Sequence, residues 1–81
     1  MHYSTTASFD KEFKKFPKNV RQAFYKQIGF LLHDIRHPSL RAKKYSETDD
    51  VWQARVNDNM RFYFQIEGGT YVLLNIKKHA D

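Results

Sequence analysis

Arg55 and Arg61 sit in two stretches of alternating residues, VWQARV and MRFYFQI, separated only by NDN. In an extended chain successive side chains leave opposite faces, so both arginines point away from the apolar residues around them. A tight hairpin brings them within roughly 10 Å of each other. Two planar guanidinium forks at that spacing suit the oxygens of a phosphate group. The competing reading is a pair of solvated strand residues neutralised by Asp58 or Glu67. His79 falls in phase with Asn75 and Lys77 of a third alternating stretch, TYVLLNIKKH, and so joins the same polar face. Imidazole is the side chain there whose ordinary titration range lies near neutrality, which suits proton transfer. Its competing reading is a surface histidine close to the end of the sequence.

These residues need a sheet to carry them. Trp52, Ala54 and Val56 alternate with Gln53 and Arg55; Phe62, Phe64 and Ile66 alternate with Arg61, Tyr63 and Gln65; Val72, Leu74 and Ile76 alternate with Asn75, Lys77 and His79. The pattern predicts three antiparallel strands with one apolar and one basic face. Asn57, Asp58 and Asn59 supply the first turn, and Glu67, Gly68, Gly69 and Thr70 the second.

Upstream, residues 2–6 predict a short opening strand, and Thr6 or Ser8 a cap for a helix over Phe9, Phe13 and Phe16. Pro17 then separates this helix from a second over residues 19–34, whose inward stripe is Val20, Phe24, Ile28 or Gln27 beside it, Leu31, Leu32 and Ile35. Gly29 lies inside that helix, where glycine costs about 1 kcal/mol relative to alanine, and predicts a close neighbour. His37 and Pro38 end the helical pattern. The segment SLRAKKYSETDD reads as polar and irregular, and places Arg41, Lys43 and Lys44 just before the sheet. The expected architecture is α+β: one domain over residues 1–81, with an N-terminal helical hairpin on one face of a small antiparallel sheet of three to four strands.

With 81 residues the chain buries only roughly 60 to 65% of its unfolded surface, so each of its 7 Phe, 5 Tyr and 1 Trp counts. The absence of cysteine excludes a disulfide framework and thiolate chemistry. The opening MHYSTTASFDK lacks the apolar run of a signal peptide, and nothing approaches the ~20 apolar residues of a membrane span, so the expectation is a soluble cytoplasmic protein. A formal net charge of +5 favours a polyanionic or acidic partner.

Other groupings read as scaffold. His33 and His37 have the spacing of a helical metal pair, but no third ligand is evident, and no metal or other cofactor is expected. Asp49 and Asp50 read as a solvated turn, and Gly68-Gly69 as a hairpin with no following helix to make a phosphate loop. Lys11, Lys14, Lys15, Lys18 and Arg21 form a basic outer helical surface, read mainly as solvated. Trp52 belongs with the core, whereas Tyr63 shares the face of Arg61 and is the better platform for stacking a base.

The helical hairpin with FKKFP, the strand WQARV, the strand MRFYFQI with arginine second, and a last strand ending NIKKH together resemble the RelE/ParE superfamily of toxins from toxin-antitoxin modules. The likeness runs in order along almost the whole chain, through short and permissive motifs. It implies a metal-independent endoribonuclease cutting mRNA on the ribosome, as in the RelE branch. The ParE branch, which poisons DNA gyrase, is the alternative, with a non-catalytic binding module as the third. By position Arg61 is similar to the phosphate-contacting arginine of the ribonuclease branch, Arg55 to a basic residue of its first long strand, and His79 to the Arg or His where its last strand ends. The implied catalytic set is therefore Arg61, His79 and Arg55. Lys43, Lys44, Gln53, Tyr63, Lys77 and Lys78 would bind substrate, and the basic surface would contact rRNA. Ribonuclease members commonly carry a further aromatic residue past the last strand, whereas this sequence ends at Asp81. The basic face, reinforced by the resemblance, implies a cognate acidic antitoxin that covers Arg55, Arg61 and His79 or displaces a mobile C-terminus; the sheet also offers it an edge for strand addition, and the helical hairpin a groove for an amphipathic helix.

Overall fold

The computed structural model describes residues 1–79. In chain order it contains β1 (His2–Thr5), α1 (Ala7–Phe13), α2 (Lys18–His33), β2 (Lys43–Ser46), β3 (Val51–Arg55), β4 (Met60–Glu67) and β5 (Thr70–Lys78). Among the described residues the sheet has five strands in the order β1-β5-β4-β3-β2, with β1 parallel to β5 and the other pairs antiparallel. The α+β class stands, and the expected antiparallel sheet of three to four strands is corrected to a mixed sheet of five. The segment read as irregular supplies β2, which pairs Lys43 with Gln53 and Lys44 with Trp52. β1 is the expected opening strand, and β2 is the one added: both have four residues, lie at the edges and carry mainly polar or charged side chains, the composition that blunts an edge against aggregation.

The helical part also differs from the expected hairpin. Thr6 caps α1: its Oγ1 accepts from the Phe9 N–H at 3.1 Å and donates to the Leu74 carbonyl at 3.0 Å, tying the helix start to β5. This helix ends at Phe13, and Phe16 lies in the turn that follows. The two helices meet through aromatic rings, Phe24 standing 5.4 Å from Phe9 and 5.2 Å from Phe13 between ring centroids. The longer helix starts behind Pro17, whose carbonyl accepts from Val20 and Arg21, and closes where the extended Asp34 donates its N–H to Phe30.

Gly29 has no close neighbour. It is exposed, and a Cβ built on it meets nothing within 4 Å. Gly29→Ala is therefore expected to raise stability by about 1 kcal/mol, because alanine relieves the helix-interior penalty of glycine. A denaturant midpoint that stays put or falls would contradict this.

The core lies between the helices and one face of the sheet. Phe24 of α2 meets Phe62 edge-on at 5.4 Å and 84°, and Phe64 meets Tyr71 at 5.5 Å and 90°, the geometry that aromatic quadrupoles favour. Trp52 packs against this cluster as expected. The alternation expected in β5 does not hold throughout: Tyr71, Leu73 and Ile76 are buried, rather than Val72, Leu74 and Ile76. Tyr63 pairs with Asn75 but Phe64 with Leu73, so Leu74 is an extra residue, a bulge that reverses the phase of the strand. Beyond β1 the helix α1 covers this edge, and the Glu12 carboxylate accepts from the Ile76 N–H at 3.1 Å.

Candidate functional site

Residues 57–59 join β3 to β4 and organise the polar face. The Asn57 carboxamide oxygen accepts from the N–H groups of Asn59 and Met60, each at 2.9 Å, which folds the turn on itself. Its carbonyls are then used from outside. Arg61 Nη1 donates to the Asn57 carbonyl at 2.7 Å, to Met60 at 3.0 Å and to Asp58 at 3.4 Å. The backbone N–H of His79 donates to the Asn59 carbonyl at 2.8 Å. One short turn thus positions two of the three residues of the expected catalytic set, and His79 is fixed by its main chain just beyond the end of β5.

A cavity of about 170 Å³ opens beside this turn, lined by Arg41, Lys43, Gln53, Arg61 and His79. Three permanent cations and an imidazole surround it, and no carboxylate lies among the described lining residues. Like charges converging on a small concavity repel one another until an anion enters, so the cavity is built to attract one. Gln53 is the neutral donor and acceptor of the set, held by its register opposite Lys43 on one side and Tyr63 on the other.

The remaining expected residues lie around the cavity. Arg55 faces Arg61 directly across the β3–β4 ladder, a cross-strand placement of like charges that costs stability, and its Nη2 pairs with the Asp58 carboxylate. Lys44 pairs with Asp50, which holds its ammonium above the ordinary lysine range, and lies 5.3 Å from the centre of the Trp52 ring. Lys77 sits over the Tyr63 ring at 5.1 Å, and Lys78 is exposed where β5 pairs with Met60. Tyr63 is only 6% exposed, and burial, with a smaller contribution from Tyr45, raises its hydroxyl pKa above the ordinary tyrosine range. The ring that faces solvent is Tyr45, 60% exposed and packed edge-on against Tyr63 at 4.9 Å.

Sequence reasoning did not assign Arg41 or Tyr45 to the site. Their signal lay in a stretch without clear periodicity, and only the pairing of β2 with β3 brings them to this face. A third omission is the support behind it. Gln27 of α2 is 4% exposed; its Nε2 donates to the Ser39 carbonyl at 3.0 Å and the Arg55 carbonyl at 2.7 Å, while its Oε1 accepts from Ser39 Oγ at 2.9 Å. It clamps the loop before Arg41 to the end of β3. Gln27→Ala leaves the part-buried Ser39 and Arg55 carbonyls without this donor and is expected to cost about 2 kcal/mol. Unchanged denaturant unfolding in that variant would contradict the assignment.

Among the described residues no group of three or more His, Cys, Asp or Glu side chains is placed to hold a metal ion. His37 instead stacks on Phe30 at 3.8 Å and accepts at Nδ1 from the Ser39 N–H. No described helix is long and apolar enough to cross a membrane. No protein-family model matches the chain, and no curated protein matches it in sequence.

Solved structures do match it in fold. A YoeB/ParE toxin from Agrobacterium tumefaciens superposes with a TM-score of 0.82 at 12% identity, covering 99% of this chain and 100% of the other. The archaeal RelE-RelB complex from Pyrococcus horikoshii gives 0.78 at 17% identity over 95% and 92% of the two chains. The intact RelBE toxin-antitoxin complex of E. coli gives 0.77 at 16% identity over 99% and 98%.

Proposed function

We propose that this chain, which has the fold of the RelE and YoeB toxins, is a metal-independent endoribonuclease that cuts mRNA on the ribosome, and so acts in the cytoplasm as the toxin of a toxin-antitoxin pair. The observation that carries the reading is the cavity on which Arg41, Lys43, Arg61 and His79 converge, with no carboxylate among its described lining residues. An RNA phosphodiester contains its own nucleophile. The 2′-oxygen attacks phosphorus, the bond to the 5′-oxygen breaks, and the protein must align the two, remove one proton, supply another and stabilise the charge on the pentacoordinate phosphorus.

Arg61 is the main clamp on that charge, already oriented by three carbonyls, and Arg55 adds potential from the neighbouring strand. His79 is the proton-transfer group. Lys43 and Gln53 hold the phosphate and ribose, Lys44, Lys77 and Lys78 steer the backbone, and Tyr63 supports the exposed ring of Tyr45 against which a base stacks. One imidazole serves only one of the two proton transfers. The other falls to water or the ribosome, in keeping with a nuclease that works on RNA held by the ribosome, where the basic outer helices face rRNA.

The same charge calls for restraint by a partner. The E. coli neighbour is a toxin-antitoxin complex, and we infer for this chain an acidic antitoxin whose carboxylates occupy the cationic cavity, bound quickly because opposite charges steer the encounter. The test of function is to add purified protein to mRNA-programmed ribosomes and, separately, to DNA gyrase. Cleaved mRNA with normal supercoiling supports the ribonuclease. Intact mRNA with blocked supercoiling would instead make this a gyrase inhibitor.

A further inference from the structure

Two described residues other than glycine have positive φ, Asp50 at 55° and Arg41 at 46°. The first is explained locally. Asp50 closes the tight turn after β2, its N–H reaching the Glu47 carbonyl at 3.3 Å, and aspartate tolerates the left-handed region. Arginine has no such tolerance, and a side chain with a Cβ is strained there. The surroundings explain why the backbone is bent: Leu40 is fully buried and gives its carbonyl to Arg55 N–H at 2.8 Å, while Lys43, two residues beyond Arg41, is already in register with Gln53. They do not explain the arginine, because glycine would meet the same demand with less strain.

The side chain at this strained position lines the cavity with Lys43, Gln53, Arg61 and His79, and no carboxylate in the described lining neutralises it. We infer that Arg41 is a phosphate-binding residue of this site, retained against its backbone preference because its guanidinium completes a three-cation cradle for the phosphodiester. The inference rests on reading the cavity as a phosphodiester site and adds the residue that would grip the phosphate from the β2 side, opposite Arg61 on β4. Two planar forks reaching an anion from the loop before β2 and from β4 fix its orientation as well as its position, which a single arginine does not.

The experiment separates backbone from side chain. Arg41→Gly removes the guanidinium and the strain together, Arg41→Asn removes the guanidinium in a residue that tolerates positive φ, and Arg41→Lys keeps charge without the fork. Binding of adenosine 3′-monophosphate is followed through the backbone amide signals of Gln53, Arg61 and His79, with thermal unfolding alongside. Arg41→Gly and Arg41→Asn are expected to hold or raise Tm while weakening binding roughly 10- to 100-fold, the scale of a lost charge-assisted contact. Arg41→Lys should retain part of the affinity.

Wild-type affinity in the glycine and asparagine variants would overturn the inference, as would the absence of saturable shifts at these amides in the unsubstituted protein. The binding assay needs no catalysis. If the Arg41 variants bind weakly but the unsubstituted protein leaves ribosomal mRNA intact, the ribonuclease reading fails and the Arg41 assignment stands. If mRNA is cut and the variants bind normally, Arg41 alone is wrongly assigned.

Discussion

Replacing Arg61 with alanine is expected to lower single-turnover cleavage of ribosome-bound mRNA by roughly 10² to 10³, the loss found when one preorganised donor to a transition-state charge is removed. Arg61 qualifies as preorganised because its Nη1 is fastened to the carbonyls of Asn57, Asp58 and Met60 before any substrate arrives. Those same bonds mean that the substitution is not silent for folding: loss of the half-buried contacts should cost about 1 kcal/mol and loosen the turn. The core is spared, since the neighbouring Phe62 is fully buried on the opposite face. Arg61→Lys separates the two effects, keeping a charge near the phosphate but losing the shape that caps the turn. A folded Arg61→Ala protein cleaving at the unsubstituted rate would remove Arg61 from the mechanism.

His79→Ala should lower the same rate by roughly 10² to 10⁴, the usual worth of a positioned general acid or base. The substitution spares the main-chain tie that places residue 79. His79 is held at the turn by its backbone N–H on the Asn59 carbonyl, and alanine keeps that bond. What disappears is the imidazole at the cavity wall. Added imidazole is expected to restore part of the rate in His79→Ala and none in Arg61→Ala, because a free base can replace a proton carrier but not a fixed guanidinium. Equal response of both variants would show that His79 does not transfer the proton.

The two-faced sheet was legible because period-two alternation survives in β3 and β4, and the short NDN turn fixed their register so that Arg55 and Arg61 had to be neighbours. Alternation also put Gln53 on that face, whereas Lys43 was named only through the family resemblance, because β2 itself escaped notice among charged residues. Alternation failed at Leu74, where a bulge inserts one residue and the buried set shifts to Tyr71 and Leu73. A one-residue insertion leaves no compositional mark. Tyr63 illustrates a different limit: its face was right, but the ring that covers it belongs to Tyr45, on a strand the sequence did not reveal. Arg41 was hidden for a third reason, since its distinction is a backbone angle that composition does not encode. Gly29 misled in the other direction, because a helical glycine with open space around it carries the same letter as one pressed against a neighbour.

The central claim is cleavage by the RNA's own 2′-hydroxyl at the Arg61 and His79 cavity, and the chemistry of the product ends tests it most directly. Purified protein acting on mRNA-programmed ribosomes should leave an upstream fragment ending in a 2′,3′-cyclic phosphate or a 3′-phosphate and a downstream fragment beginning with a 5′-hydroxyl. A downstream fragment beginning with a 5′-phosphate would mean that water, not the 2′-oxygen, attacked phosphorus, and would contradict the mechanism.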